Sequence, residues 1–154
     1  MLKYTNYSIV FQEIPNETTL AINISNCPNR CPDCHSKFLW EDTGKTLDSE
    51  AIDHILDQYA QGITCVCFMG GDAEPDLVMD LAKHIKVVYP DLNVAWYSGK
   101  DNFPMCSIDL LDYIKIGRYD KNFGPLNKET TNQRMYKRDG SGKLVDITNM
   151  FWKK

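Results

Sequence analysis

The feature that most constrains this chain is a set of short, unbroken apolar runs separated by segments of helical period. "ITCVCF" at 63–68 is apolar at nearly every position. A strand with one wet face would alternate, so a continuous run predicts a strand covered on both sides, as in a parallel sheet. "TTLAINIS" (18–25), "LNVAWYS" (92–98) and "YIKIG" (113–117) have the same core-strand character. Between them, "DSEAIDHILDQYA" (48–60) predicts a helix capped by Asp48 or Ser49, with Ile52, Ile55, Leu56 and Tyr59 on one face. "PDLVMDLAKHIKVVY" (75–89) opens on Pro75 and carries a stripe through Leu77, Leu81, Ile85 and Val88. "SIDLLD" (107–112) reads as a short helical turn, and "QRMYKR-DGSGK-LVDI" as a terminal hairpin around a Gly-rich turn.

Strand–helix alternation at this spacing calls for parallel strands joined by crossovers. The units are too few for a closed eight-stranded barrel, so the expected fold is α/β, an open or partial barrel with a hairpin-like C-terminal tail. The chain of 154 residues reads as one domain. The core falls at about 18–117 and the tail at 118–154. In such folds functional groups gather at the carboxyl ends of the strands. Three features lie there: a cysteine cluster after 18–25, "GGD" after 63–68, and "SG" after 92–98.

The formal charge of −4 and the lack of a basic, aromatic-laced cluster argue against a nucleic-acid ligand. No run approaches a membrane span, and the N-terminus lacks the apolar core of a signal peptide. A cytoplasmic, non-membrane protein is expected. In a reducing compartment, clustered cysteines read as metal-binding or catalytic rather than as disulfides.

"NCPNRCPDCH" (26–35) places Cys27, Cys31 and Cys34 in C-x3-C-x2-C spacing, with no obvious fourth ligand. A structural zinc site wants four closed ligands. His35 abuts Cys34 and chelates awkwardly beside it. Cys65 and Cys67 face one way on a strand, but their apolar surroundings favour buried, inert thiols. Cys106 is isolated and reads as an incidental loop residue. Three thiolates on one loop suit an iron–sulfur cubane with one open iron. On spacing alone, zinc and iron–sulfur stand about level. The balance moves with "FMGGD" (68–72): consecutive glycines at a strand end admit a ligand to the backbone, and Asp72 can accept from an amine.

Together these motifs resemble the radical S-adenosylmethionine (SAM) enzymes, which pair C-x3-C-x2-C after the first barrel strand with a Gly-Gly-Glu-like motif after the second. Within that superfamily the chain is most similar to the activating proteins of anaerobic ribonucleoside-triphosphate reductase, which are small glycyl-radical activases. "CPNRCPDCH", "MGGDAEP", "AWYSG", "YIKIGRY" and "TTNQRMY" carry the likeness, over residues 18 to about 147. Where many relatives have an aromatic residue before the third cysteine, this chain has Asp33. It also lacks a Gly-Pro-Gly-Arg-like turn near the N-terminus.

The resemblance implies a radical SAM barrel and a [4Fe–4S] cluster held by Cys27, Cys31 and Cys34, with SAM on the fourth iron. It implies cofactor contacts from Asp33, Cys34, His35, Gly70, Gly71, Asp72, Ser98, Lys115 and Gly117. Lys115, in a strand, has the competing reading of a solvated or edge residue. The chemistry implied is one-electron cleavage of SAM to methionine and a 5′-deoxyadenosyl radical, which takes a hydrogen from a glycine of the reductase. A flavodoxin- or ferredoxin-like electron donor would supply the electron. The 131–134 segment stands equally as partner docking or as closure of the sheet. His54 and His84 read as surface or packing residues, and the acids of 48–57 as a solvated face. The rivals are activation of another glycyl-radical enzyme and a non-catalytic, zinc-stabilised interaction module.

Overall fold

A computed structural model describes residues 2–25, 44–101, 110–118, 120 and 122–152. The elements follow in the order β1 (Lys3–Val10), β2 (Thr19–Ile24), β3 (Lys45–Thr46), α1 (Ser49–Tyr59), β4 (Cys65–Met69), α2 (Pro75–Val88), β5 (Asn93–Tyr97), β6 (Tyr113–Ile116), β7 (Arg134–Arg138) and β8 (Leu144–Asp146). All eight strands join one sheet, ordered β3-β1-β2-β4-β5-β6-β7-β8. Its centre, β2-β4-β5-β6, is parallel, and both flanks are antiparallel. The expected core strands are therefore all present and mutually parallel, and the tail does form the β7–β8 hairpin. β1 was not anticipated from sequence: in "KYTNYSIV" no position is fully buried, so no clean apolar pattern marks it.

Strand alternation sorts the central side chains onto two faces. Leu20, Ile22, Ile24, Val66, Phe68, Val94, Trp96 and Ile114 all join the large core that α1 and α2 complete. Helix α1 starts at Asp48, whose carboxylate accepts the Ala51 N–H at 2.9 Å, and it buries Ile52, Ile55 and Leu56. Pro75 opens α2 as expected, but its buried stripe is Val78, Met79, Leu81, Ala82 and Ile85. Leu77 and Val88 are exposed, a rotation from the expected stripe set by how α2 lies on the sheet.

The opposite face has no α-helix among the described residues, only the short 3-10 turn Thr148–Phe151, whose Phe151 packs against it. Cys65, Cys67, Ala95, Tyr113 and Met135 form a smaller core there with Ile14 and Leu126. Its lid is the 11–17 segment, which returns along the sheet. The Tyr97 hydroxyl donates to the Glu13 carbonyl, while Tyr113 Oη and Asn93 Nδ2 each donate to Glu17 Oε2 at 2.8 Å. No helix among the described residues is long and apolar enough to cross a membrane.

Candidate iron–sulfur site

The carboxyl ends of β2, β4, β5 and β6 lie side by side because these strands are parallel neighbours. Cys27, Asp33, Cys34, His35 and Cys31, as well as Cys106, fall outside the described residues. Their place in the chain is nonetheless defined: the cysteine run begins two residues after Ser25, at the end of β2. The next strand over, β4, is followed by Gly70, Gly71 and Asp72.

That turn is built from close backbone approach. Gly70 N–H donates to the Tyr97 carbonyl at 3.2 Å, and Trp96 Nε1–H donates to the Gly70 carbonyl at 2.6 Å, so β5 holds both ends of the residue. Gly71 adopts φ 94°, a left-handed conformation that favours glycine, and a Cβ there would sit 2.6 Å from Val78 Cγ2. Any side chain at 71 would drive the turn off α2. Among the described residues none accepts the buried Gly71 N–H. A buried amide left this way is costly, and it lies where the chain leaves β2 for the cysteine run.

Asp72 has a role that the sequence did not foretell. Its Oδ1 accepts from Ser98 Oγ at 2.5 Å and its Oδ2 from Gly99 N–H at 2.8 Å. The carboxylate therefore ties the β4 end to the β5 end. Ser98, expected as a cofactor contact, is fully buried and shares this bond.

Lys115 corrects the reading of it as a solvated or edge residue. It is 7% exposed, on β6, with strands on both sides. Its Nζ donates to the carbonyls of Gly117 at 2.8 Å and Ser98 at 3.2 Å and stands 5.7 Å from the Tyr97 ring centroid. Register decides this: Lys115 is in line with Tyr97 and Met135 on the helix-free face. Asp72, Ser98, Lys115 and Gly117 thus form one hydrogen-bonded chain across the ends of β4, β5 and β6. Gly117 also admits the segment that follows: a Cβ there would meet Gln133 Cα at 2.9 Å. Gln133 Nε2 donates to the Gly117 carbonyl at 3.3 Å, Thr131 and Gln133 are buried, and Arg134 pairs with Ile116. Residues 131–134 thus pack on the end of β6 and lead into β7.

Two further readings change. His84 Nε2 lies 2.7 Å from Asp53 Oδ1, and Tyr89 donates to Asp57 at 2.8 Å. Part of the acidic face of α1 is therefore bound to α2 rather than merely solvated. Burial, then the neighbouring Asp57 and Asp53, pushes the Tyr89 hydroxyl up to about 12.

The donor set decides whether an iron–sulfur cluster fits. Among the described residues no group of three His, Cys, Asp or Glu could hold a metal. Cys65 and Cys67 are free and fully buried. Burial is the main cause that pushes both thiols well up, followed by Glu17 for Cys65 and by Cys65 itself for Cys67. No third donor stands with them among the described residues. Cys27, Cys31 and Cys34, clustered in the sequence, are soft donors of the kind that suits iron–sulfur chemistry. Residues 18–138 match the family described as 4Fe-4S single cluster domain. The chain belongs to that family. The match begins at the residue before β2 and ends with β7, so it takes in the parallel centre, the cysteine run and the strand-end turns. No curated protein and no solved structure gives a match. Membership in an iron–sulfur family favours iron over the zinc-stabilised module.

Proposed function

We propose that this iron–sulfur protein is a radical SAM activating enzyme that installs a glycyl radical on anaerobic ribonucleoside-triphosphate reductase. The observation that carries the proposal is a juxtaposition. The strand that leads into C-x3-C-x2-C and the strand that ends in Gly-Gly-Asp are parallel neighbours, with Asn23 paired to Met69 at their carboxyl ends. A Cβ at Gly70 would lie 2.9 Å from the Ile24 carbonyl oxygen, so the two ends touch.

Cys27, Cys31 and Cys34 would hold the cluster, which when reduced with SAM bound supplies a 5′-deoxyadenosyl radical. The work of the chain is positioning. The Gly71 amide, facing no acceptor among the described residues, is a donor for a carboxylate. Asp72 sets the turn against β5 by accepting from Ser98 and Gly99, which places its carboxylate at the strand ends. Ser98, Lys115 and Gly117 keep the β5 and β6 ends in register with it. Exclusion of water falls to the buried helix-free face behind the strand ends.

The experiment is anaerobic reconstitution of the full chain. About four irons and four sulfides per chain and absorbance near ~400 nm are expected for one cluster. On reduction with SAM, 5′-deoxyadenosine should form, and addition of the reductase should give a glycyl-radical EPR signal. Cys27→Ala, Cys31→Ala and Cys34→Ala should each abolish SAM cleavage, and Cys65→Ala and Cys106→Ala should not. A protein that loads the cluster but never cleaves SAM would end the radical SAM reading. 5′-Deoxyadenosine without a radical on the reductase would redirect the activity to another glycyl-radical enzyme. Flavodoxin and ferredoxin as electron donors can be compared in the same assay.

A further inference from the structure

The sheet face opposite α1 and α2 is only partly covered. Ile14 of the returning loop packs with Cys65, Cys67, Ala95 and Tyr113 on β4, β5 and β6. Toward β1 the same face opens: Asn6 and Ser8 are exposed, and Asn23 and Met69 are half-buried. Register sets these side chains in two rows. Asn6, Asn23, Met69, Tyr97 and Lys115 are successive partners from β1 to β6, and Ser8, Ala21, Cys67 and Ala95 form the row beneath. Asn23 alone in β2 is not buried. Its Nδ2 donates to Asn6 Oδ1 at 2.6 Å. One such bond between two carboxamides leaves an amino group on Asn6 and a carbonyl oxygen on Asn23. Neither has a second partner among the described residues. A donor beside an acceptor is the complement of a peptide group, which presents one carbonyl and one N–H.

We propose that the Asn6–Asn23 pair reads the main chain of the reductase beside its target glycine. The Asn6 amino group donates to a peptide carbonyl, and the Asn23 carbonyl accepts a peptide N–H. This inference rests on the activase reading and names the residues that would place the partner. Three features support the choice of occupant. The first is continuity with the strand ends: Asn23 pairs with Met69, the residue before Gly70, and a Cβ at Gly70 would lie 2.9 Å from the Ile24 carbonyl oxygen. A chain held by the pair therefore passes the end of β2, four residues before Cys27. The second is size. Ser8 and Ala21 in the row beneath are small, so a segment with little side chain of its own can lie close to the sheet. The third is charge. None of Asn6, Ser8, Ala21, Asn23, Cys67 or Met69 is charged, which suits a neutral main chain and disfavours a phosphate or an ionised side chain.

The test uses the full, reconstituted chain and the intact reductase, with binding followed by anaerobic calorimetry and radical formation by EPR. Asn6→Asp is the decisive variant. It keeps an oxygen for Asn23 Nδ2, and so keeps the pair, but replaces the outward donor with an acceptor. Affinity for the reductase should fall about tenfold, as for one lost hydrogen bond. The half-saturating reductase concentration should rise by the same factor, while the radical-formation rate at saturation stays within about twofold. Asn23→Ala, which removes the acceptor, should act alike. Parent-like affinity in both variants overturns the proposal, as does a fall in the saturated rate at unchanged affinity. If Asn6→Asp melts early, Asn6→Ala decides, because it also removes the donor, and parent-like affinity in a folded Asn6→Ala overturns the proposal. A parent that binds the reductase more tightly than Asn6→Asp but cleaves no SAM ends the activase reading and keeps the pair as a docking element. A parent that cleaves SAM and installs the radical, with variants that bind equally well, ends this inference alone. Failure of the parent to bind the reductase removes this inference together with the choice of partner.

Discussion

The two faces of the sheet are made by alternate residues of the same strands, yet they are different environments. On one, Leu20, Ile22, Val66, Phe68, Val94 and Trp96 meet two helices, in a layer that is aliphatic and aromatic throughout. On the other, Cys65, Cys67, Tyr97 and Tyr113 meet a returning loop, and Lys115 holds the ends of β5 and β6. The helix side buys stability through area. On the loop side, buried polar groups are tied by hydrogen bonds, and at the strand ends these bonds set the positions of the turns that carry the proposed chemistry. A near-continuous apolar run in sequence therefore conceals a division of labour, because thiols and aromatic phenols count as apolar until their partners are known.

Cutting a large side chain from the helix side should show the greatest effect. Phe68→Ala, at a fully buried position, is expected to cost about 3–5 kcal/mol in chemical denaturation. A loss below about 1 kcal/mol would mean that the helices do not pack as described. Next comes the matched polar group on the loop side. Lys115→Met keeps bulk but removes the ammonium from the Ser98 and Gly117 carbonyls, Gln133 alone still donating to Gly117, for an expected cost of about 1–3 kcal/mol. If that variant were as stable as the parent, the two faces would differ less than their partners suggest.

The thiols give a dependence on pH. In the folded chain Cys65 and Cys67 titrate well above their ordinary value of 9.0. Above that value the unfolded chain sheds protons that the folded chain keeps. Their contribution is thus complete below about pH 9 and declines as pH rises, by up to about 1.4 kcal/mol per pH unit for each thiol. Denaturation between pH 8 and 10 should show the decline, and Cys67→Ala should flatten it. Iodoacetamide at pH 8 should leave both residues unlabelled until the protein is unfolded, as read by mass spectrometry. Cys67→Ala itself should be the mildest of the core changes, about 1 kcal/mol at neutral pH. A loss as large as that of Phe68→Ala would remove the contrast between the faces.

Some of this was legible from residues alone because the signals were local. A capping carboxylate three residues before an amide, a proline at a helix start and unbroken apolar runs act within one turn or strand. α1, α2, β2, β4, β5, β6 and the terminal hairpin accordingly lie where their patterns put them, within a residue or two. β1 was not legible, since its half-buried residues alternate weakly and it is a strand only by pairing with β2. The stripe of α2 was displaced because period alone does not say how a helix rolls on its sheet. At the candidate site, the cysteine spacing and Gly-Gly-Asp announced themselves, whereas the acceptance of Ser98 and Gly99 by Asp72 did not. Those partners lie twenty-six and twenty-seven positions away along the chain.

By itself the sequence determined the alternating elements, the C-x3-C-x2-C spacing and the glycines that let a backbone turn tightly after β4. These depend on residue type and spacing, which tertiary contacts do not change. Only the tertiary structure decided which side of each strand faces the helices, that Lys115 is enclosed, and that Asp72 binds the neighbouring strand end. Those outcomes depend on register between strands distant in the chain, and a shift of one residue would have reversed every one of them.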